Sequence, residues 1–377
     1  MIQQKQNQNT VLRRTVFNTQ KTLEEYKSNK VFLTGKPALL NTIHKAYPDI
    51  WQQRDELKSL DWHENEFNYS TCLNEFKTYN DVSNAMIDTL AWQWESDSIA
   101  STNPLILIAP FQPCLEVFAM ESQVTANEIL HSATYSEIVR LSFEDPEKVL
   151  ADILENQESF RRLDVINKKF GEFQEFSIDY SLNKHNYPNY TDEFVLAKLI
   201  EFYFCLLVLE RVQFIASFAI TFTIVHSGLF QPIGNAVRKI AQDELQCHVK
   251  YRKSVILALC KQLNIPISNF SDTLIPIIDE IVESELEWSK HLLGKYSIAG
   301  LQLQGLQDWV KYNANDVYHF VTGEVKYPEC VENPLPFLSE YFDNDSVQSA
   351  VQEIQSASYV MNSVIDDGAN VDFELMI

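Results

Sequence analysis

Glycine is scarce in this chain, with nine among 377 residues, and none of them builds a glycine-rich phosphate loop. That argues against the nucleotide-cradling α/β folds, whose strand-to-helix turns depend on glycine. Positive charge is also short: 30 Lys and Arg stand against 52 Asp and Glu, a formal charge of -22. A nucleic-acid surface works by releasing counterions to a basic excess, so nucleic acid is excluded as a partner. Paired cysteines are missing too. Cys72, Cys114, Cys205, Cys247, Cys260 and Cys330 show no C-x-x-C spacing, which fits reduced thiols in the cytoplasm better than a disulfide framework or a zinc site. The opening MIQQKQNQNTVLRR lacks the apolar core of a signal peptide, so no export is expected.

One long apolar run is present, FCLLVLERVQFIASFAITFTIV at 204–225. In a bilayer its Glu210, Arg211 and Gln213 would lie at membrane depth, at roughly 3 kcal/mol for each charge. The run is therefore read as the central helix of a soluble bundle, with no membrane involved. Glu210 then sits in an apolar helix and needs a partner.

Apolar residues recur at the 3.6-residue helical period over 66–98, 113–141, 145–168, 192–228, 232–262, 271–294 and 297–320. Beyond them, NPLPFLSEYF (333–342) holds two prolines and cannot continue a helix. The expectation is an all-α protein with one helical domain, 35–345. A polar segment, 1–34, leads into it, and an acidic tail, 346–377, is apolar only at its tip. No repeat is evident, and no regulatory domain is expected ahead of the bundle.

Chemistry concentrates at a few positions. In EILHSATY (128–135) Glu128, His131 and Tyr135 stand at i, i+3 and i+7. At about 100° per residue they share an arc of roughly 60° on one helix face. In IAQDELQCHVKY (240–251) Glu244 and His248 stand at i and i+4, again on one face. Glu210 and Asp97, the latter at the end of another apolar helix, complete four carboxylates and two histidines on four helices. That is the ligand inventory of a di-metal carboxylate centre in a ferritin-like bundle. Unpaired core carboxylates would repel by about 4 kcal/mol per close pair at an effective dielectric near 20. Two cations would cancel that charge, and mixed oxygen and imidazole ligands suit iron or manganese better than zinc. Any one such pair more often reflects a core histidine and a salt-bridged glutamate; four core acids with two histidines are hard to explain that way.

The segments EILHSATYSEIVR, ERVQFIASFA, GNAVRKIAQDELQCH, GLQ…VKYNAND, NPLPF and SASYVMNSV carry a resemblance to a known family. From about residue 60 onward the chain resembles the small, radical-bearing subunit of class I ribonucleotide reductase. The resemblance implies Asp97, Glu128 and His131 as ligands of one metal and Glu210, Glu244 and His248 as ligands of the other. Glu95 is a weaker rival of Asp97. The metals would be iron, manganese or a mixed pair. It implies a stable radical on Tyr135, in a pocket of Phe214, Phe218 and Ile240 whose other role is core packing. It also implies radical transfer through Trp62, in LKSLDWHENEF, with Asp243 as its link to His131. Trp51 and Trp92 are weaker rivals of Trp62. The route would continue through Tyr359 to a large catalytic subunit, docked by the tail tip VDFELMI with Phe373 and Leu375 as apolar anchors. A homodimer is expected on the same ground. The family spacing departs at one place: its second pair reads E-x-x-H, whereas Glu244 and His248 are one residue farther apart, an excess a π-bulge would absorb. A related di-iron oxidase (monooxygenase, desaturase or ferroxidase) would share the ligand pattern but has no use for a tail tyrosine. A metal-free helical interaction protein would leave the core acids unexplained.

Overall fold

The apolar run becomes the innermost helix of the protein. In the computed structural model, which describes residues 17–36, 38–184 and 190–342, it lies within Asp192–His226. Among the described residues this is the one helix long and apolar enough to cross a bilayer, and 94% of its apolar window is buried inside the fold. Burial on every side is why it is apolar all round. Arg211 points outward and pairs with Asp316, Nε to Oδ2 2.9 Å.

Among the described residues, eight long helices make up the body. They are α1 (Pro48–Ser59), α2 (Asn80–Thr102), α3 (Leu115–Ser142), α4 (Gln157–Asn183), α5 (Asp192–His226), α6 (231–263), α7 (Ser271–Lys295) and α8 (Leu303–Thr322). Helix α2 packs on α3, α3 on α6, α6 on α5 and α5 back on α2, which closes a four-helix ring. Helix α1 lies over α3 and α6, α4 and α7 flank α5, and α8 pairs with α7. No strand occurs among the described residues. The fold is therefore the all-α, ferritin-like class expected.

Local signals account for the helix ends. The Thr191 hydroxyl accepts from the Phe194 amide at 3.2 Å and starts α5, and the Asn156 side chain accepts from Glu158 and Ser159 at the start of α4. Helix α8 stops at Gly323, whose φ of 79° belongs to the left-handed region that glycine tolerates best.

Several boundaries differ from the periodic reading. The expected helix 66–98 breaks at Tyr79, with a 3-10 turn, Tyr69–Cys72, and a six-residue helix, Leu73–Thr78, ahead of α2. The expected 145–168 splits into Pro146–Leu154 and α4, because Asn156 caps a new helix there. Helix α1 was not anticipated; it buries only Ile50, Gln53 and Leu57, too few to make an apolar face visible. Within the supposedly polar 1–34, Val31 and Phe32 are fully buried. Cys114 N donates to Val31 O at 2.8 Å, Leu33 N donates to Phe111 O at 2.8 Å, and the Gln262 amide bridges Val31 and Phe32. Two apolar residues in a polar stretch give no period, so only the packing reveals them.

Gly234 is the glycine with a steric reason. A Cβ there would lie 2.4 Å from a methyl of Val225, where α6 turns back against α5. Gly234→Ala is expected to destabilise the fold by about 1–3 kcal/mol through overpacking. Thermal unfolding checks this; an unchanged melting temperature would show that Val225 yields freely.

Candidate metal centre

Two stretches of the ring helices leave α-geometry, and each carries a carboxylate. Leu209–Gln213 in α5 and Asp243–His248 in α6 are π-helical turns. The second takes up the extra residue of DELQCH. It keeps Glu244 and His248 aimed at one place, with His248 Nδ1 3.2 Å from Glu244 Oε2.

The six side chains converge as two overlapping groups. Asp97, Glu128, His131 and Glu244 form one; Glu128, Glu210, Glu244 and His248 form the other, with the donor atoms of each within 4.8 Å of one another. Glu128 and Glu244 belong to both, a sharing that spacing along the sequence did not reveal. His131 Nδ1 lies 3.2 Å from Glu244 Oε1 and 3.6 Å from Glu128 Oε2, and His248 Nδ1 lies 3.3 Å from Glu128 Oε1. Glu95 is not in either group; its carboxylate accepts from the Ser159 hydroxyl.

All six side chains are buried. Both Asp97 oxygens, Glu128 Oε2, Glu210 Oε2, Glu244 Oε1, His131 Nδ1 and His248 Nε2 have no hydrogen-bond partner among the described residues. Each such buried orphan costs about 1–3 kcal/mol, and two divalent cations would satisfy the set together. The donors therefore fit a di-metal centre.

Protonation points the same way. Burial pushes the Asp97 carboxyl well above the ordinary carboxylate range, and the adjacent Glu128 charge adds to it. Burial also lifts Glu210 to about 8, with the Arg252 guanidinium opposing. Burial would raise Glu128 as well, but the facing His131 and His248 imidazoles outweigh it and hold the group at about 2. Burial would depress both imidazoles, yet the carboxylates around them keep them well above their usual value. Protons thus balance the charge of the cluster, and an entering cation must displace them. Metal affinity is expected to rise from mildly acidic to neutral pH. Calorimetry at several pH values checks this; a pH-independent affinity would mean that no proton leaves.

A second layer positions His131. Its Nε2 lies 3.1 Å from Asp243 Oδ2, and the same oxygen accepts from Trp62 Nε1 and Asn127 Nδ2, each at 2.9 Å. Once the cluster gives up its protons, the one retained on His131 Nε2 faces Asp243 and leaves the Nδ1 lone pair for an ion. The Trp62 and His131 rings stack with centroids 6.2 Å apart. Asn127 was missed by sequence reasoning, since a lone buried Asn has no motif. Trp51 instead lies under Lys45 and Arg54, and Trp92 under Arg162.

Glu210 has a cationic partner that its spacing did not predict. Arg252 Nε donates to Glu210 Oε1 at 2.9 Å, and its Nη1 donates to Glu121 Oε1 at 2.6 Å. Tyr251 donates to that same Glu121 oxygen at 3.0 Å. The guanidinium occupies one oxygen of Glu210 and leaves Oε2 for an ion.

Tyr135 is 1% exposed. It lines a small apolar cavity together with Ile87, Leu90, Ala91, Trp94 and Ile138. Phe214, Phe218 and Ile240 are buried, and the two phenyl rings are 5.8 Å apart. Tyr359, Phe373 and Leu375 lie outside the described residues.

The chain has relatives among known proteins. The family profile "Ribonucleotide reductase, small chain" matches residues 40–334. The ribonucleoside-diphosphate reductase subunit beta of Enterobacteria phage T4 is 26% identical over 96% of this chain and 98% of its own length. That of Buchnera aphidicola (subsp. Schizaphis graminum) is 25% identical over 76% of this chain and 79% of its own. Among solved structures, the ribonucleotide reductase R2 subunit from Clostridium botulinum superposes with a TM-score of 0.70 at 18% identity, covering 81% of this chain and 91% of that one. The dimanganese(II)-NrdF of Streptococcus sanguinis gives a TM-score of 0.61 at 13% identity, over 79% of this chain and 98% of that one. At such identities the structural likeness concerns the fold alone.

Proposed function

The chain belongs to the ribonucleotide reductase small-chain family, and from that premise we propose that it generates and stores the radical used by a large subunit to reduce ribonucleotides to deoxyribonucleotides. The reading rests above all on the two overlapping ligand groups that share Glu128 and Glu244. Asp97, Glu128 and His131 would hold one ion, and Glu210, Glu244 and His248 the other. Iron suits this donor set first, and two manganese ions or a mixed pair are served by the same ligands. When bound, the metals supply one-electron oxidation with dioxygen.

The remaining steps fall to the chain's own residues. Tyr135 stands one helical turn beyond His131 and would give up an electron and its phenolic proton together, both to the dioxygen that the loaded centre reduces towards water. Burial, with the charges of Asp97, Glu244 and Glu128, holds that phenol well above its usual pKa, so a phenolate is not formed first. The apolar surroundings, with Phe214, Phe218 and Ile240 as part of the pocket, keep water and reductants from the stored radical. Asp243 accepts from Trp62 and faces His131, so it can take the indole proton as the Trp62 electron leaves. Tyr359 would continue the transfer, and the 346–377 tail, with Phe373 and Leu375 as anchors, would dock on the large subunit. The 35–345 body would act as a homodimer in the cytoplasm.

Loading the metal-free protein with Fe(II) and oxygen should yield two metals per chain, a tyrosyl radical in the electron paramagnetic resonance (EPR) spectrum, and ribonucleotide reduction once a large subunit is added. Two bound metals with no radical would favour the related di-iron oxidase reading. Removing the tail from Ala357 onward should abolish turnover and leave the radical intact; turnover that survives the cut would refute tail docking.

A further inference from the structure

Resting on that radical reading, we propose that Arg162 steers the oxidising equivalent away from Trp92, leaving Trp62 as the indole oxidised beside the metal centre. Both tryptophans are buried near the ligands. Trp92 lies on α2 five residues before Asp97, and its ring centroid is 5.2 Å from that of Phe214, four residues beyond Glu210. Proximity alone would make it a competitor for the hole.

The two indoles differ in what surrounds them. Taking one electron from an indole leaves a cation radical, which is stabilised by passing its N–H proton to a base. Trp62 has that base in Asp243, 2.9 Å from its Nε1. The nearest cation, the Lys239 ammonium, is 5.8 Å from the Trp62 ring and pairs with Glu66 at 2.9 Å. Trp92 Nε1 is buried with no acceptor among the described residues. Its positive charge would therefore stay on the ring, facing the Arg162 guanidinium 3.7 Å from the ring centroid. The same guanidinium lies 3.6 Å from the Trp288 ring, so both indoles are placed against a fixed cation in a low-dielectric interior.

Arg162 cannot move away. Its Nε and Nη2 donate to Glu285 at 2.8 and 2.7 Å, Nη1 donates to the Ser217 hydroxyl at 2.8 Å, and Nη2 also donates to Gln213 O at 2.9 Å. Glu285 offsets part of the charge. A two-point guanidinium–carboxylate pair is coplanar, so Glu285 lies beyond the guanidinium edge while the cation faces the ring. A purely structural ion pair tying α4 to α7 would have the same bonds, but its loss would leave the redox route unchanged.

The double variant Arg162→Gln/Glu285→Gln removes both charges and keeps a polar side chain at each position. After mixing with Fe(II) and oxygen, freeze-quenched EPR should show a tryptophan radical absent from the wild type. Ring-deuterated tryptophan should alter that signal, Trp92→Phe in the same background should remove it, and the Tyr135 radical yield per metal pair should fall. A variant with full metal content, the wild-type tyrosyl yield and no tryptophan signal overturns the proposal. Should the double variant not fold, Tyr135→Phe/Trp62→Phe leaves Arg162 in place and removes both preferred donors. No tryptophan radical assignable to Trp92 is expected there, and one that Trp92→Phe abolishes overturns the proposal equally. A wild type that takes up metal without forming a tyrosyl radical overturns the functional reading, and this inference with it. A normal wild-type radical with an unchanged variant overturns this inference alone.

Discussion

Tyr135→Phe is expected to erase the tyrosyl radical and reduce turnover with a large subunit to background, while both metal ions still bind. The substitution removes one atom from a ring that is 1% exposed and keeps the ring itself. That atom, the hydroxyl oxygen, has no hydrogen-bond partner among the described residues, so no other group is orphaned and the stability change should stay within about 1 kcal/mol. The ligand carboxylates and imidazoles are untouched. The consequence is chemical rather than structural: a phenyl ring has no O–H proton to lose and is far harder to oxidise. Metal content, melting temperature and EPR on the same sample separate these effects. An unchanged tyrosyl signal in the variant would place the radical on another tyrosine.

The second large effect distinguishes shared from unshared ligands. Asp97 belongs to one donor group, whereas Glu244 belongs to both. Asp97→Ala is expected to lose about one of the two ions, and Glu244→Ala both. Affinity in the Glu244 variant should fall more than the 10–100-fold typical of losing an outer partner of a ligand. The stabilisation that metal confers on the folded state should disappear with it. Metal stoichiometry after dialysis and the rise of melting temperature on metal addition measure both. If Glu244→Ala retained one ion as tightly as Asp97→Ala does, Glu244 would not be shared.

Much of the centre was legible because helical period is local. Glu128, His131 and Tyr135 lie on one buried face of α3, where their spacing puts them. Ligand types were legible for the same reason: a carboxylate in an apolar helix, as at Glu210, needs a counter-charge wherever it ends up. The extra residue of DELQCH was visible in the sequence, but its accommodation in a π turn depended on α6 packing against neighbours that hold Glu244 and His248 to one point. Glu95 and Asp97 illustrate the limit of periodicity. Two residues apart, they lie roughly 200° apart around the helix, and the packing of Ser159 from α4 decides which of them turns away from the ligands.

Everything legible along the chain is short-range: an all-α class, the faces of the ring helices, and the donor types they carry. Helix propensity, capping and the 3.6-residue period act over a turn or two, so they can be read from neighbouring residues. Tertiary structure alone decided which distant groups share a charge or a proton. It made Glu128 and Glu244 common to both donor groups, put Arg252 on Glu210, gathered Trp62, Asn127 and His131 on one oxygen of Asp243, and laid Arg162 over Trp92. Those partners come from separate helices, and electrostatic contact follows distance in space, for which separation along the chain carries no signal.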